Sequence, residues 1–407
     1  MYLNIKKRAR VLCLAGLFLS SLWHVAFASD DITFWDQSQY GGNSFNRIPP
    51  DKVYFDALRG YGATWVRLSY DKWPPAQRDF LVGNADNYQG LVSEDVDTLK
   101  TALKNAHAAG LKVVIAPLTL PGMRWSQNNK GRFDDRLWQN EDYWQQSANF
   151  WRDLARELKD VPGIAAYNLI NEPAPEKKSA LAENSSQDDE VKWYRNHQGT
   201  PRDLPAFYHR LIKAIREVDP LTPIMVDSGW YASAGGFNYW PGALNDSRVL
   251  YSFHMYEPYA ATSGPNLTRE KPYQYPGIVP FGKKREMWDA QRVAKHLQQP
   301  FIWAQQHNIP KNRMVAGEFG CIRMLPGCRQ YLEDVLTVLD RERAHWAFYS
   351  FREDNWDAMD YELGKKKVPW AYWQAMEKNK PDPVIRHATA EFSPISRRLS
   401  PKMTLEK

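Results

Sequence analysis

Two carboxylates close apolar, strand-like runs in this chain. Glu172 stands in Asn171-Glu172-Pro173 at the end of IAAYNLI, and Glu318 ends MVAGEF, 146 positions later. An acid at the end of a buried strand is costly unless it is paired, hydrogen-bonded or used. Two of them on one rim could supply the proton donor and the nucleophile or base that cleavage of a glycosidic bond requires. Further polar residues gather at strand ends: Arg67 interrupts WVRLS, and His254 and Tyr256 close RVLYSFHMY. A single buried Arg or His is more often a structural hydrogen-bonding group. Several from different strand ends meet on one face when all strands run the same way.

The elements that must position them alternate between compact apolar strands and amphipathic helices. Strands are expected at 40–46, 63–69, 111–118, 164–172, 222–228, 248–256, 313–319 and 344–351. Helices are expected at 51–59, 94–110, 143–160, 207–218, 286–307 and 328–342, with a closing helix from 369 to 376. Strand runs that are nearly all apolar belong to a parallel sheet covered on both faces, so the expected fold is α/β, a (β/α)8 TIM barrel. The loops are uneven. The charged stretch after Glu172 and the Pro-, Gly- and Tyr-rich segment 257–285 are long catalytic-face loops, the first of them a candidate cleft wall.

Residues 1–28 read as a secretory signal peptide: Lys6, Lys7, Arg8 and Arg10, an apolar stretch, then Ala26-Phe27-Ala28 as a small-x-small cleavage site. This implies a secreted or periplasmic protein with no stable membrane insertion after cleavage. Residues 29–378 form the expected barrel domain, and 379–407 a tail packing on or extending from it. Losing the four leader cations lowers the formal charge from +6 to +2, too little to argue for nucleic acid, and no basic run interleaved with aromatics suggests a strand-binding groove. Cys321 and Cys328 remain; in an oxidising compartment they are either a disulfide or two buried thiols. A monomer is the default.

At this point the chain resembles glycoside hydrolase family 5, the cellulase family of the glutamate/glutamate barrel clan. The likeness runs from about Gly41 to Trp373 and is strongest at Asn171-Glu172-Pro173, His254-x-Tyr256 and Glu318-Phe319-Gly320. The resemblance implies Glu172 as general acid/base and Glu318 as nucleophile. It further implies Asn171 on the sugar hydroxyl beside the reacting carbon, Arg67 holding the nucleophile region, and His254 and Tyr256 orienting substrate and carboxylates. A β-linked polysaccharide or oligosaccharide is the implied partner, and an endo-acting β-1,4-glucanase the implied activity. A β-mannanase or other endo- or exo-acting β-glycan hydrolase is the alternative, and a non-catalytic glycan-binding barrel a remoter one. Two positions depart from the family pattern: Leu118 stands where a His is common before Pro-Gly, and Tyr349 where a platform Trp is common.

With 17 Trp and 21 Tyr, aromatic faces for sugar stacking are plentiful, although any one Trp is more often packing. Trp125, Trp230 and Tyr349 are the leading sugar-contact candidates, followed by Trp346 and Trp356; Trp193 and Trp240 also fall in loops on that side. No EF-hand or HExxH spacing and no convincing phosphate loop is present, so neither metal nor cofactor is expected.

Overall fold

The computed structural model describes residues 31–400 apart from Asn355 and Asn379; the leader read in residues 1–28 lies outside the described residues. The strands are β1 (Tyr40–Ser44), β2 (Trp65–Leu68), β3 (Lys112–Ile115), β4 (Ile164–Asn168), β5 (Ile224–Asp227), β6 (Val249–Met255), β7 (Gly277–Phe281), β8 (Lys284–Trp288), β9 (Met314–Phe319) and β10 (His345–Phe348). All but β7 and β8 form a closed parallel barrel in the order β1-β2-β3-β4-β5-β6-β9-β10. The expected TIM barrel is therefore present.

Alternation along each strand builds the interior in layers. Trp65, Val114, Ala166, Met225, Leu250, Val315 and Ala347 form one buried cluster, closed below by Ile32 and Trp35, whose indole donates to Ala165 O at 3.1 Å. Two residues further along these strands the same face carries Arg67, Asn168, Asp227, Ser252 and Gly317, and the barrel turns polar. That polar layer is the floor of the site.

The helices are α1 (Lys52–Gly60), α2 (Ser93–Ala108), α3 (Glu141–Leu158), α4 (Gln187–His197), α5 (Leu204–Arg216), α6 (Ala290–Gln306), α7 (Cys328–Glu342), α8 (Trp370–Glu377) and α9 (Ser393–Leu399). Local chemistry sets their starts. Asn140, Asp203 and Asp289 each accept a hydrogen bond from a backbone N–H in the first turn of the following helix. Gly327 leads into α7 at φ +82°, where a Cβ would lie 1.7 Å from Tyr275 O, so only glycine fits.

Two features differ from expectation. The β7–β8 hairpin, turned by Gly282-Lys283, replaces the first residues of the helix expected at 286–307, which begins only at Ala290 after its Asp289 cap. Helix α4 rises inside the charged loop after Glu172, capped by Ser186. The tail packs on the barrel, one of the two arrangements expected of it: Phe392, Ile395 and Leu399 are buried, and Arg398 reaches Glu333 at 2.9 Å and Asp340 at 2.6 Å on α7.

Candidate active site

The β4 chain leaves the barrel through Asn171 and turns at Glu172, which takes a left-handed φ of 52°. Its backbone N–H donates to Asp227 Oδ2 at 3.1 Å, which fixes this uncommon conformation. The Glu172 carboxylate points into the cleft with its side chain 33% exposed, and His254 Nδ1 lies 2.9 Å from Oε1. Glu318 faces it from β9. Arg67 Nη1 donates to its Oε1 at 2.7 Å and the Tyr256 hydroxyl to its Oε2 at 2.7 Å. Both oxygens act as acceptors, the arrangement of a carboxylate.

Arg67, almost completely buried, holds this floor together. Its guanidinium reaches Asn168 Oδ1 at 2.7 and 2.9 Å, Asn171 Oδ1 at 2.7 Å, Asp227 Oδ2 at 3.3 Å and Asn43 Oδ1 at 3.3 Å, besides Glu318. A planar fork saturated by five side chains from four strands has no second orientation.

The two glutamates sit in unlike environments. Burial raises the Glu172 pKa above the ordinary carboxyl range, the Glu318 charge adds to this, and the His254 hydrogen bond opposes it. Burial alone would depress the His254 ring, but the charges of Glu318 and Asp227 and the contact with Glu172 raise it overall. Burial and then the Glu318 charge push the Tyr256 hydroxyl well above its ordinary value, so it stays a donor.

Every expected polar residue reaches this site: Arg67, Asn171, Glu172, His254, Tyr256 and Glu318. Apart from the buried Arg67, they line a cleft of about 720 Å³ whose walls also include Trp125, Trp230, Tyr349 and Trp356. Lys177 and Glu183 line it too, so the loop after Glu172 is part of the cleft wall. Leu118 borders the cleft where the family pattern has a histidine; its N–H donates to the buried Asp71, whose carboxyl burial pushes up to about 6.

Trp346 is a correction. It is fully buried outside the barrel, stacked on Tyr40 with ring centroids 4.7 Å apart, because it alternates with the inward-facing Ala347. Trp193 and Trp240 are also packing residues, Trp193 against Tyr239 and Trp240 against Phe237 and Trp303. Cys321 and Cys328 are joined in a disulfide just after the Glu318 strand. Asp227 was missed, although it ends TPIMVDS as Glu172 and Glu318 end their own apolar runs.

Among the described residues Glu172, His254 and Glu318 bring one donor atom each within 4.8 Å of one another, a spacing that could hold a metal ion. Their partners do not suit a cation: the Arg67 guanidinium and the Tyr256 hydroxyl already occupy the two Glu318 oxygens.

Comparison with known proteins finds relatives in sequence and in fold. The chain is 24% identical over 203 residues to the Probable glucan 1,3-beta-glucosidase A of Aspergillus niger, covering 50% of this chain and 41% of that protein. It thus spans about two-fifths of the length of that relative. Endoglucanase C of Acetivibrio thermocellus is 22% identical over 324 residues, covering 74% of this chain and 82% of the relative. Among solved structures, the Pseudomonas stutzeri endoglucanase Cel5A in complex with cellobiose shares the fold with a TM-score of 0.58 at 18% identity, over 90% of this chain and 93% of that one. The sequence profile named Cellulase (glycosyl hydrolase family 5) matches residues 32–379, and the chain belongs to that family.

Proposed function

We propose that this protein is a retaining β-glycan hydrolase, an endo-acting β-1,4-glucanase, with Glu172 as acid/base and Glu318 as nucleophile. The observation that carries the reading is the approach of the two carboxylates, with oxygens within 4.8 Å, in opposed environments. Retaining enzymes hold their carboxyl groups about 5–5.5 Å apart, whereas inverting ones need roughly 6.5–9.5 Å to admit a water.

In the first step a Glu318 oxygen, oriented by Arg67 and Tyr256, attacks the anomeric carbon. Glu172 gives its proton to the departing glycosidic oxygen. Forming the glycosyl ester removes the Glu318 charge that helps raise the Glu172 pKa, so Glu172 then accepts a proton from water. That water releases the sugar with its configuration retained.

A polymer substrate is supported by the shape of the site. The cleft opens on one side into a cavity of about 310 Å³ near Phe45, Lys72 and Glu353, after β1, β2 and β10. On the other it opens into one of about 470 Å³ among the loops after β4, β5 and β6. These strand groups lie across the barrel from each other, so binding surface continues past both sides of the glutamates. With the leader read in residues 1–28, the enzyme would act outside the cytoplasm.

The test is product analysis on soluble cellulose derivative, glucomannan, galactomannan and short oligosaccharides, with Glu172→Gln and Glu318→Gln in parallel. Internal cuts in the glucan, lost in both variants, are expected. Wild-type turnover in either variant would sink that residue's role, and preference for the mannans would move the substrate assignment.

A further inference from the structure

Glu353, in the loop after β10, is a buried carboxylate beside the cleft that no step of the chemistry above employs. Burying an acid is costly unless partners hold it. Here they come from two sides. Tyr349 donates its hydroxyl to Glu353 Oε2 at 3.0 Å, and Ser350 Oγ donates to the same oxygen at 3.3 Å. Lys72, from the loop after β2, gives its ammonium to Oε1. That ammonium also donates to Phe45 O at 3.1 Å and lies 4.1 Å from the centre of the Phe45 ring. Burial pushes the Glu353 carboxyl up to about 7, while Lys72 and the hydroxyls of Tyr349 and Ser350 pull it down.

The turn that brings Glu353 back to Tyr349 is held independently of both. It passes through Arg352 at a left-handed φ of 45°, uncommon without a glycine. Arg352 is tied to Glu362 at 2.6 and 2.9 Å, and its carbonyl accepts from Asn46 Nδ2 at 3.1 Å. Phe351 N donates to Asn43 O at 3.0 Å, and Phe351 O accepts the Tyr54 hydroxyl at 2.7 Å. The carboxylate is thus a fixed point, set from β1 and α1, to which Tyr349 is attached. Tyr349 lines the catalytic cleft and is only half-buried. An aromatic wall tied at its hydroxyl presents one orientation and loses little rotamer freedom when substrate arrives. Glu353 has almost no surface of its own to offer, with 2% of its side chain exposed. Its pairing with Lys72 offsets the negative charge it would otherwise add near Glu318.

We propose that Glu353, held by Lys72, is a positioning residue for the reaction, which fixes the Tyr349 ring as a substrate-binding wall of the cleft by accepting its hydroxyl. It acts through Tyr349 and not by touching sugar. The inference rests on the glycan-hydrolase reading of the cleft.

The experiment compares two variants from which both charges are gone. Lys72→Met/Glu353→Gln keeps an acceptor for the Tyr349 hydroxyl, and Lys72→Met/Glu353→Leu does not. Steady-state kinetics use whichever of cellohexaose and mannohexaose the wild-type protein cleaves faster. KM of the leucine variant is expected to be roughly five- to tenfold that of the glutamine variant, the loss of one net hydrogen bond. Adding Tyr349→Phe to each should erase the difference, because the hydroxyl through which Glu353 acts is then gone. A loss of folded protein would lower kcat and leave KM in place. Equal KM values in the first two variants overturn the proposal. A difference that survives Tyr349→Phe also overturns it, since Glu353 would then act on substrate directly. Should the leucine variant not fold, Tyr349→Phe alone decides: KM is expected to rise by a similar factor, and an unmoved KM overturns the proposal. Failure of the hydrolase reading looks different: the unsubstituted protein would release no sugar from any glycan.

Discussion

Asp227 Oδ2 lies 3.6 Å from His254 Nε2, on the far side of the ring from the Glu172 carboxylate. Asp227 is fully buried, accepts the Glu172 backbone N–H and touches Arg67, so one side chain reaches three parts of the catalytic floor. It makes no hydrogen bond to the ring, but its charge stands behind the imidazole and raises the His254 pKa. Glu172 and His254 titrate as a pair, facing Glu318, Arg67 and Tyr256 as well as Asp227.

Asp227→Asn keeps the shape and removes the charge. Loss of a nearby negative charge makes the Glu172–His254 pair give up its proton more easily, so the alkaline limb of the kcat/KM profile should move to lower pH. A shift of roughly half to one pH unit is expected. An alkaline limb that stays in place or moves upward would contradict this electrostatic role.

The aromatic residues divide by burial. Trp125→Ala and Trp230→Ala should raise KM for polymeric substrate roughly tenfold, as expected when about one aromatic contact is lost. Trp346→Ala should instead cost about 3–5 kcal/mol of stability, the usual result of emptying a buried Trp site, with KM for the folded fraction unchanged. Denaturant titration and steady-state kinetics on the three variants separate the two effects.

Glu176 anchors the turn that presents Trp230. It is fully buried and accepts from Trp230 N at 3.0 Å and the Tyr239 hydroxyl at 2.5 Å, and burial pushes its carboxyl up to about 7 from an ordinary 4.5. Because the folded state holds this proton longer than the unfolded chain, the contribution of Glu176 to stability falls as pH rises from about 4.5 to about 7. Glu176→Gln should abolish that slope while still meeting both partners. Glu176→Leu strands two buried donors and should cost about 2–4 kcal/mol. Unfolding curves for the wild type and Glu176→Gln across this pH window provide the check; parallel pH dependences would refute it.

Reduction of the Cys321–Cys328 disulfide opens a short loop, with the two cysteines only seven positions apart. The expected loss is about 2–3 kcal/mol by the chain-entropy argument, visible as a lower Tm for the Cys321→Ser/Cys328→Ser double variant. Both glutamates keep their partners from other strands, so kcat below the transition should stay near the wild-type value. A collapse of kcat in the folded double variant would mean that the link positions Glu318.

The barrel was legible because each strand is a short apolar run and each main helix carries a periodic apolar face. The glutamates stood out as acids ending such runs. Asp227 offered the same signal at the end of TPIMVDS, but it has no counterpart among the motifs that carry the family resemblance and was passed over. Trp346 was misplaced by neglect of alternation: in HWAFYSF, Ala347 and Tyr349 share the inward face, which leaves Trp346 and Phe348 outside. The β7–β8 hairpin has a Pro and several charges, so its alternation was too weak to announce a strand pair. Helix α4 is almost entirely polar, and only its Ser186 cap and the buried Glu190, Trp193 and Tyr194 distinguish it from a loop. Its stability depends on tertiary contacts that no local pattern contains.

Double displacement through Glu318 is the central claim, and the first-formed product tests it most directly. Proton NMR should follow cleavage of a β-linked cello-oligosaccharide by the wild-type protein, fast enough to precede mutarotation. The account predicts that the new reducing end appears first as the β anomer and only later equilibrates. Initial appearance of the α anomer would mean single-step inversion and would contradict a glycosyl-enzyme on Glu318.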